Sequence, residues 1–312
     1  MRNKSLSARL GAELHVVLSR RRRLPRYVAC SWRSLLIVWR RRPAVVIAQN
    51  PSIVLTCLMT LLKPLFKYAL AIDAHYVGVV APGGNRLLQR ALDFCNARAD
   101  LVIVTNEAHK RLVDALGGHA LVCEDPLPGI GQYASATAGS SRDVLFICSF
   151  DLDEPYVEVF RAAGLLRHEG YVFWVSGNFS RVGIDPADWP HLRFMGYVPE
   201  HEFYGRLARS QVVVDLTTYD DCLVCGAYEA MALEKPLVTS KTRALQAYFG
   251  GVAVFVDHNP TAIAEGVRRA YETRDESRSR IRAWRERVLI DNARKIEAIR
   301  AFLTLPDAKT QH

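Results

Sequence analysis

Hydrophobic positions along this chain follow two alternating rhythms. Short runs rich in valine, isoleucine and leucine are separated by longer stretches in which apolar residues return every three or four positions. That alternation predicts parallel strands covered by helices. In the first half, runs at 14–18, 45–48, 68–72 and 101–105 predict strands. Helical periodicity covers 27–42, a stretch capped by Ser52, 87–97 and 107–116, the last stopped by Gly117 and Gly118. In the second half, strands are expected at 144–148, 171–176, 212–216, 237–239 and 252–256. Helices are expected near 156–168, 200–210, 226–233 and 243–249, and at 260–273 and 276–303.

Turn-forming and small residues gather only near the middle, in Asp125-Pro126-Leu127-Pro128-Gly129 and again at 135–141. The organisation expected is an N-terminal domain at 1–130, a linker at 131–142 and a ligand-binding domain at 143–280. A closing helix at 281–312 then packs back on the first domain. The fold class is α/β, two Rossmann-like doubly wound domains facing a cleft, with ligands at the carboxyl ends of the strands. The first domain lacks its opening strand, because 5–14 already reads as a helix running into a strand. Either the recorded start lies downstream of the true one, or the protein is degenerate.

The length of 312 residues suits two domains, and a half-hydrophobic composition excludes a disordered or collagen-like chain. Seven cysteines make no disulfide framework and fit a reducing cytoplasm. Charge is segregated: residues 1–67 hold 14 Lys and Arg against Glu13 alone. An anionic partner is implied, nucleic acid or a membrane surface. No signal peptide is expected, and the apolar run 53–62 ends at Lys63-Pro64, too short to span a bilayer. Arg26, Arg33 and Arg40 recur every seven residues with Trp32 and Trp39 at the same spacing, which suits the headgroup layer of an anionic membrane. The other reading is a core helix with a solvated basic edge. No nucleic-acid-binding module is present, so none is expected as partner.

The densest chemistry lies at 221–238. Asp221 falls in the loop after the strand at 212–216, and Glu229, eight residues on, lies about one turn inside the next helix. A helix N-terminus offers N–H groups to an anion, and carboxylates accept from sugar hydroxyls; together they suit a sugar nucleotide. An ordinary amphipathic helix between two strands is the alternative. The pair Cys222 and Cys225 would need two further ligands to hold zinc, so no metal or cofactor is expected.

This segment resembles the GT-B glycosyltransferases of the family 4-like group, with their Glu-x7-Glu motif and trailing Glu-Ala-Met-Ala-x-Gly-Lys-Pro-Val. Here the match is Asp221-x7-Glu229, then Glu229-Ala230-Met231-Ala232-Leu233-Glu234-Lys235-Pro236-Leu237-Val238. The resemblance implies that Glu229 holds the donor ribose and Asp221 lies by the donor sugar. Phe194 to Glu200, followed by Tyr204, is similar to the segment flanking the nucleotide base, which brings in Tyr197 and Val198. Ala48-Gln49-Asn50-Pro51-Ser52 and Ala71-Ile72-Asp73-Ala74-His75 resemble the N-terminal domain of chitobiosyldiphosphodolichol mannosyltransferase-like enzymes. His75 then serves the reacting region, or it is a structural residue closing the strand with Asp73. Asn50, Asp73 and Asn106 are acceptor-side candidates, and Asn106 with Glu107 reads equally as a helix cap and first-turn acid.

Where the family supplies basic residues for the diphosphate, this chain has Ser149-Phe150-Asp151-Leu152-Asp153-Glu154. Arg181, in Gly177-Asn178-Phe179-Ser180-Arg181, and Lys241 are the candidate replacements, beside Gly177, Asn178, Cys225 and Gly226 in the donor set. The implied activity is transfer of a hexosyl group from a nucleotide sugar to a membrane-associated, polyprenyl-diphosphate-linked or cell-surface polysaccharide acceptor, at the cytoplasmic face of the membrane. A catalytically weakened accessory subunit and a sugar-nucleotide 2-epimerase are the alternatives.

Overall fold

The computed structural model describes residues 2–19, 22–50, 52–134 and 142–304. Pro51 and most of the expected linker, 135–141, lie outside the described residues. The chain divides into two compact units, one of residues 1–126 with 290–312 and one of residues 127–289.

The first unit runs α1 (Arg2–Leu10), α2 (Arg23–Arg41), β1 (Val45–Asn50), α3 (Ile53–Phe66), β2 (Ala69–Ala74), α4 (Tyr76–Val79), α5 (Arg86–Arg98), β3 (Leu101–Val104), α6 (Glu107–Ala115) and β4 (Ala120–Val122). Its strands are parallel and adjacent in chain order, β1-β2-β3-β4. Alternate residues of β2 and β3 face opposite sides, so each side needs its own apolar cover. Leu70, Ile72, Val102 and Val104 meet Val38, Met59, Cys95 and Val113 from α2, α3, α5 and α6. Ala71, Leu101 and Ile103 meet Leu6 of α1 with Ile296 and Ile299.

Residues 14–18 form no strand, contrary to their apolar pattern. Strand β1 is an edge strand paired with β2 alone, and the run does not add to its free edge. Instead the run is hooked onto α2: the Cys30 thiol donates to the Val17 carbonyl at 3.8 Å, and Arg33 donates to the Leu18 carbonyl at 3.1 Å. Helix α2 starts four residues before the expected 27, since Pro25 in a first turn sacrifices no intrahelical bond.

The second unit runs β5 (Arg142–Phe146), α7 (Tyr156–Leu166), β6 (Tyr171–Ser176), β7 (Leu192–Gly196), α8 (Glu200–Arg209), β8 (Val212–Asp215), α9 (Cys225–Ala232), β9 (Leu237–Ser240), α10 (Arg243–Phe249), β10 (Ala253–Val256), α11 (Pro260–Glu272) and α12 (Arg274–Thr304). The helix α12 continues past residue 289 into the first unit. All six strands are parallel, in the order β10-β9-β8-β5-β6-β7. Strand β5 therefore pairs with β6 on one side and β8 on the other, and the winding reverses there. In open α/β sheets that reversal leaves a crevice at the carboxyl ends of the two central strands.

Helix α8 is set on this sheet by a largely buried ion pair, Arg206 to Asp143 at 3.0 Å, with the guanidinium 4.1 Å from the Trp174 ring centroid. Buried Lys235 donates to the carbonyl of Ala208, tying the end of α8 to the turn after α9. Desolvation holds the Lys235 ammonium down at about 8. Glu234 stands where the resembled motif has glycine, and its φ of 55° is in the left-handed region that disfavours a side chain. Its carboxylate is gripped by Arg282 at 2.9 Å and Arg285 at 2.6 Å, both on α12.

Two glycines are demanded at the carboxyl end of the sheet. Gly177 has φ of 90°, and a Cβ there would lie 2.0 Å from the Cys148 carbonyl oxygen. Gly226 would place a Cβ 2.5 Å from Asp215 Oδ2 and 2.6 Å from Ile147 Cδ1. We expect Gly177→Ala to cost about 2 kcal/mol or more of unfolding free energy. In the same urea titration Gly129→Ala, with nothing within 4 Å of the new Cβ, should stay within about 0.5 kcal/mol of wild type.

Candidate functional site

The crevice of the second unit is bounded by the loops that follow β5 and β8. They are tied together at Asp153, whose carboxylate accepts from the Thr217 hydroxyl at 2.5 Å and whose carbonyl accepts from Thr218 N–H at 2.7 Å. At the end of β8, Asp215 is buried and accepts from the backbone N–H groups of Gly226 and Ala227. Two first-turn amides of α9 are thereby occupied by the chain's own carboxylate. Burial pushes the Asp215 carboxyl well above the usual range, and the charges of Glu154 and Glu229 push the same way, against the two N–H donors.

Glu229 is placed by α9, one turn in. The Tyr204 hydroxyl of α8 donates to its Oε1 at 3.4 Å. Burial raises the Glu229 carboxyl to about 7, helped by Glu200 and opposed by the Tyr204 hydrogen bond. Glu200 opens α8 directly after Tyr197, Val198 and Pro199, so the segment expected beside a nucleotide base leads into the helix that faces Glu229. Tyr197 itself is almost fully exposed. Asp221, in the loop after β8, is paired with Arg243 of α10 at 3.1 Å, and Arg243 also lies 3.8 Å from Asp220. Asp221 and Glu229 thus have different partners.

Gly177 backs onto the loop after β5, and Asn178 follows it, exposed, accepting from the Ser180 hydroxyl at 2.6 Å. Arg181 is committed to Asp151 at 2.7 Å, both exposed. Lys241 is exposed after β9. Cys225 is the exposed first residue of α9. The Cys222 thiol is pushed up to about 12 by burial and by the charges of Asp153 and Asp215, which keeps it protonated and a poor metal ligand or nucleophile. Among the described residues no group of three or more His, Cys, Asp or Glu side chains is arranged to hold a metal.

In the first unit, Asn50, Asp73 and Asn106 sit at the carboxyl ends of three neighbouring strands, β1, β2 and β3. Asn50 is buried and donates to the Gly78 carbonyl at 3.5 Å. Asp73 is also buried, with His75 Nε2 at 4.0 Å. His75 precedes α4 and is partly exposed, with its Nε2 toward Asp73. Asn106 caps α6, accepting from His109 N–H at 2.9 Å, with Glu107 in the first turn. Sequence reasoning passed over Asp215 and Arg243, and it named Glu154 only as part of an acidic loop and Tyr204 only within the segment similar to the one flanking the base. Asp215 was hidden at the end of an apolar run, and Tyr204 and Arg243 belong to helices whose facing is set only by packing.

On α2, Arg26, Arg33 and Arg40 lie along one exposed line, and Leu24, Val28, Trp32 and Trp39 along a second. Beside them, residues His15, Val17, Leu18, Leu36, Ile37 and Arg41 help line an open groove of about 620 Å³. Among the described residues no helix is long and apolar enough to cross a membrane.

Residues 158–300 match the family described as glycosyl transferase-like. The match covers a little under half of the chain, and the solved structures similar to it show the GT-B fold. Sucrose-phosphate synthase from Thermosynechococcus elongatus is similar in structure, with a TM-score of 0.72 and 15% identity over 92% of this chain and 80% of that one. Anabaena HepE, solved in complex with UDP-glucose, gives 0.69 and 13% over 96% and 88%. The UDP-GlcNAc 2-epimerase of Methanocaldococcus jannaschii gives 0.57 and 12% over 86% and 82%. No curated protein matches the sequence. The matched segment begins inside α7, takes in Asp221 and Glu229 and runs to residue 300, so most of it falls on the unit that carries the crevice.

Because folding raises the proton affinity of Asp215, the folded form is favoured most below the ordinary carboxylate range and loses that advantage as pH rises through it. Asp215→Asn cannot ionise. Its stability in urea should therefore improve relative to wild type between about pH 4 and pH 7. A constant difference would place the Asp215 proton affinity near that of the unfolded chain.

Proposed function

We propose that this protein is a glycosyltransferase that takes its sugar from a nucleotide-sugar donor, UDP-glucose being the first to test, and passes it to a membrane-associated acceptor. One observation carries the donor half. Glu229 is a half-buried carboxylate at the mouth of the crevice, tuned near neutrality and facing the segment that leads from β7 into α8. Two adjacent ribose hydroxyls donate to its two oxygens when it is ionised. HepE, a protein of the same fold, holds UDP-glucose, which supports a uridine donor.

Around Glu229 the reading assigns Tyr197 and Val198 to the base, and Gly177, Asn178, Cys225, Gly226 and Lys241 to the diphosphate and sugar. Arg181 is the cation at that end and Asp221 the residue beside the donor sugar. In the first unit, His75 with Asp73 and Asn50 serves the acceptor. The transfer uses no metal or cofactor: the leaving diphosphate is met by N–H groups and by Arg181, and rate comes from positioning and electrostatics. A 2-epimerase reading retains the support of the M. jannaschii structure, and turnover of the nucleotide sugar with no acceptor present would favour it.

The acceptor reading rests on α2. A row of arginines beside a row of tryptophan, leucine and valine suits the headgroup layer of an anionic bilayer, and a polyprenyl-diphosphate-linked saccharide would be met at that surface. This makes the protein peripheral on the inner face of the membrane.

UDP-glucose should raise the melting temperature of wild type, and Glu229→Ala should abolish the shift. The diphosphate diester does not titrate near neutrality, so its affinity should follow Glu229, tightening by up to about ten-fold from pH 6 to pH 8. Glu229→Gln should bind more weakly with no pH dependence; a mutant that keeps the wild-type profile moves the ribose elsewhere. Replacing Arg26, Arg33 and Arg40 with Glu should release the protein from anionic vesicles in co-sedimentation, and undiminished pelleting would remove the membrane contact.

A further inference from the structure

The loop after β5 is built as an oxyanion receptor, and it already holds an anion. Phe150, with φ of 61°, adopts the left-handed conformation although it is a bulky residue. Burial of its ring against Tyr156 and Phe160, with centroids at 5.3 and 6.5 Å, keeps it there. The turn aims the backbone N–H groups on either side of Phe150, those of Ser149 and Asp151, at one point, while Phe150 N–H itself donates to the Cys148 sulfur at 3.3 Å. At that point lies the Glu154 carboxylate. Ser149 N–H donates to both of its oxygens at 2.9 and 3.0 Å, and Asp151 N–H donates to one at 3.0 Å. The Ser149 hydroxyl lies at 2.9 Å and the Cys148 thiol at 3.2 Å.

So many donors on one carboxylate is the environment of a bound oxyanion rather than of a surface acid. The loop is braced from behind, where Cys148 N–H donates to the Ser176 hydroxyl at 3.1 Å and Gly177 approaches too closely for any side chain. It lies at the reversal of the sheet, and Arg181 stands at its rim through Asp151.

We propose that Glu154 is a built-in anion that closes a phosphate cradle in the unliganded protein, so that a donor phosphate enters only as the Glu154 carboxylate withdraws. The cradle stands on this geometry alone, and the identity of the entering phosphate rests on the nucleotide-sugar reading above. The acidic loop is then not a surface that repels the diphosphate, but a donor set with its own occupant in place.

The test uses the full chain with Glu154→Ala and two probes, inorganic phosphate and UDP. Glu154→Ala should melt lower than wild type and recover saturably with phosphate, while wild type shows no more than the shift given by chloride at equal ionic strength. UDP should bind Glu154→Ala about five-fold or more tighter, because no fraction of the protein is then closed. A folded Glu154→Ala that ignores phosphate overturns the proposal, as does phosphate rescue with UDP affinity unchanged. Rescue by phosphate with no UDP binding by either protein upholds the plugged cradle and removes the nucleotide reading instead. Should Glu154→Ala fail to fold, Glu154→Gln keeps the shape and drops the charge. Tighter UDP binding by it supports the proposal, and unchanged binding defeats it.

Discussion

The second unit is organised around one buried carboxylate. Asp215 ends β8 at the reversal of the sheet and takes the amides of Gly226 and Ala227, which fixes where α9 begins. Gly226 is obligatory because its Cβ would collide with that carboxylate. From this start, one turn along α9 sets Glu229 against Tyr204, and Tyr204 is in turn positioned by the ion pair that seats α8 on β5. A helix N-terminus that would otherwise attract a mobile anion is partly neutralised by a resident one. What remains for a ligand is therefore set by the neighbouring loops rather than by the helix end.

The second unit uses the same device twice. Asp215, ending β8, and Glu154, in the loop after β5, are both acids lodged on backbone donors beside the two central strands of one sheet. They also sense each other, since the Glu154 charge contributes to holding the Asp215 proton. On the cradle proposed for this loop, a ligand phosphate would meet donors already in use by Glu154, with the buried Asp215 close by. Affinity then depends on exchanging one anion for another rather than on filling an empty positive pocket.

Most of the architecture was legible in the sequence because buried parallel strands are written as short β-branched runs, and eight of the ten observed strands were expected from such a run. The exceptions are instructive. Residues 14–18 have strand composition and no partner, so pattern alone overstated them; β4 is too short, at three residues, to show a period. Strand β7 was read as a ligand-flanking segment because its Gly196-Tyr197 end attracted attention before its Leu192–Gly196 body. Among the residues around the crevice, Glu229 and Asp221 were singled out by their spacing. Asp215 was not, since an acid closing a valine run looks like a strand end, and the Glu154 cradle depends on the φ of Phe150, which no local pattern encodes.

The turn at Glu234 carries a different consequence. A residue of unfavourable shape is kept there by two guanidinium contacts, of which Arg282 is largely open to water. Trp284, between those two arginines in the chain, instead packs on Tyr248 and Phe249 with centroids 5.5 and 5.4 Å away. Coulombic grip fades as mobile ions accumulate, whereas aromatic contact does not. The foothold of α12 on this unit is thus a fastening of two kinds, one that loosens in brine and one indifferent to it.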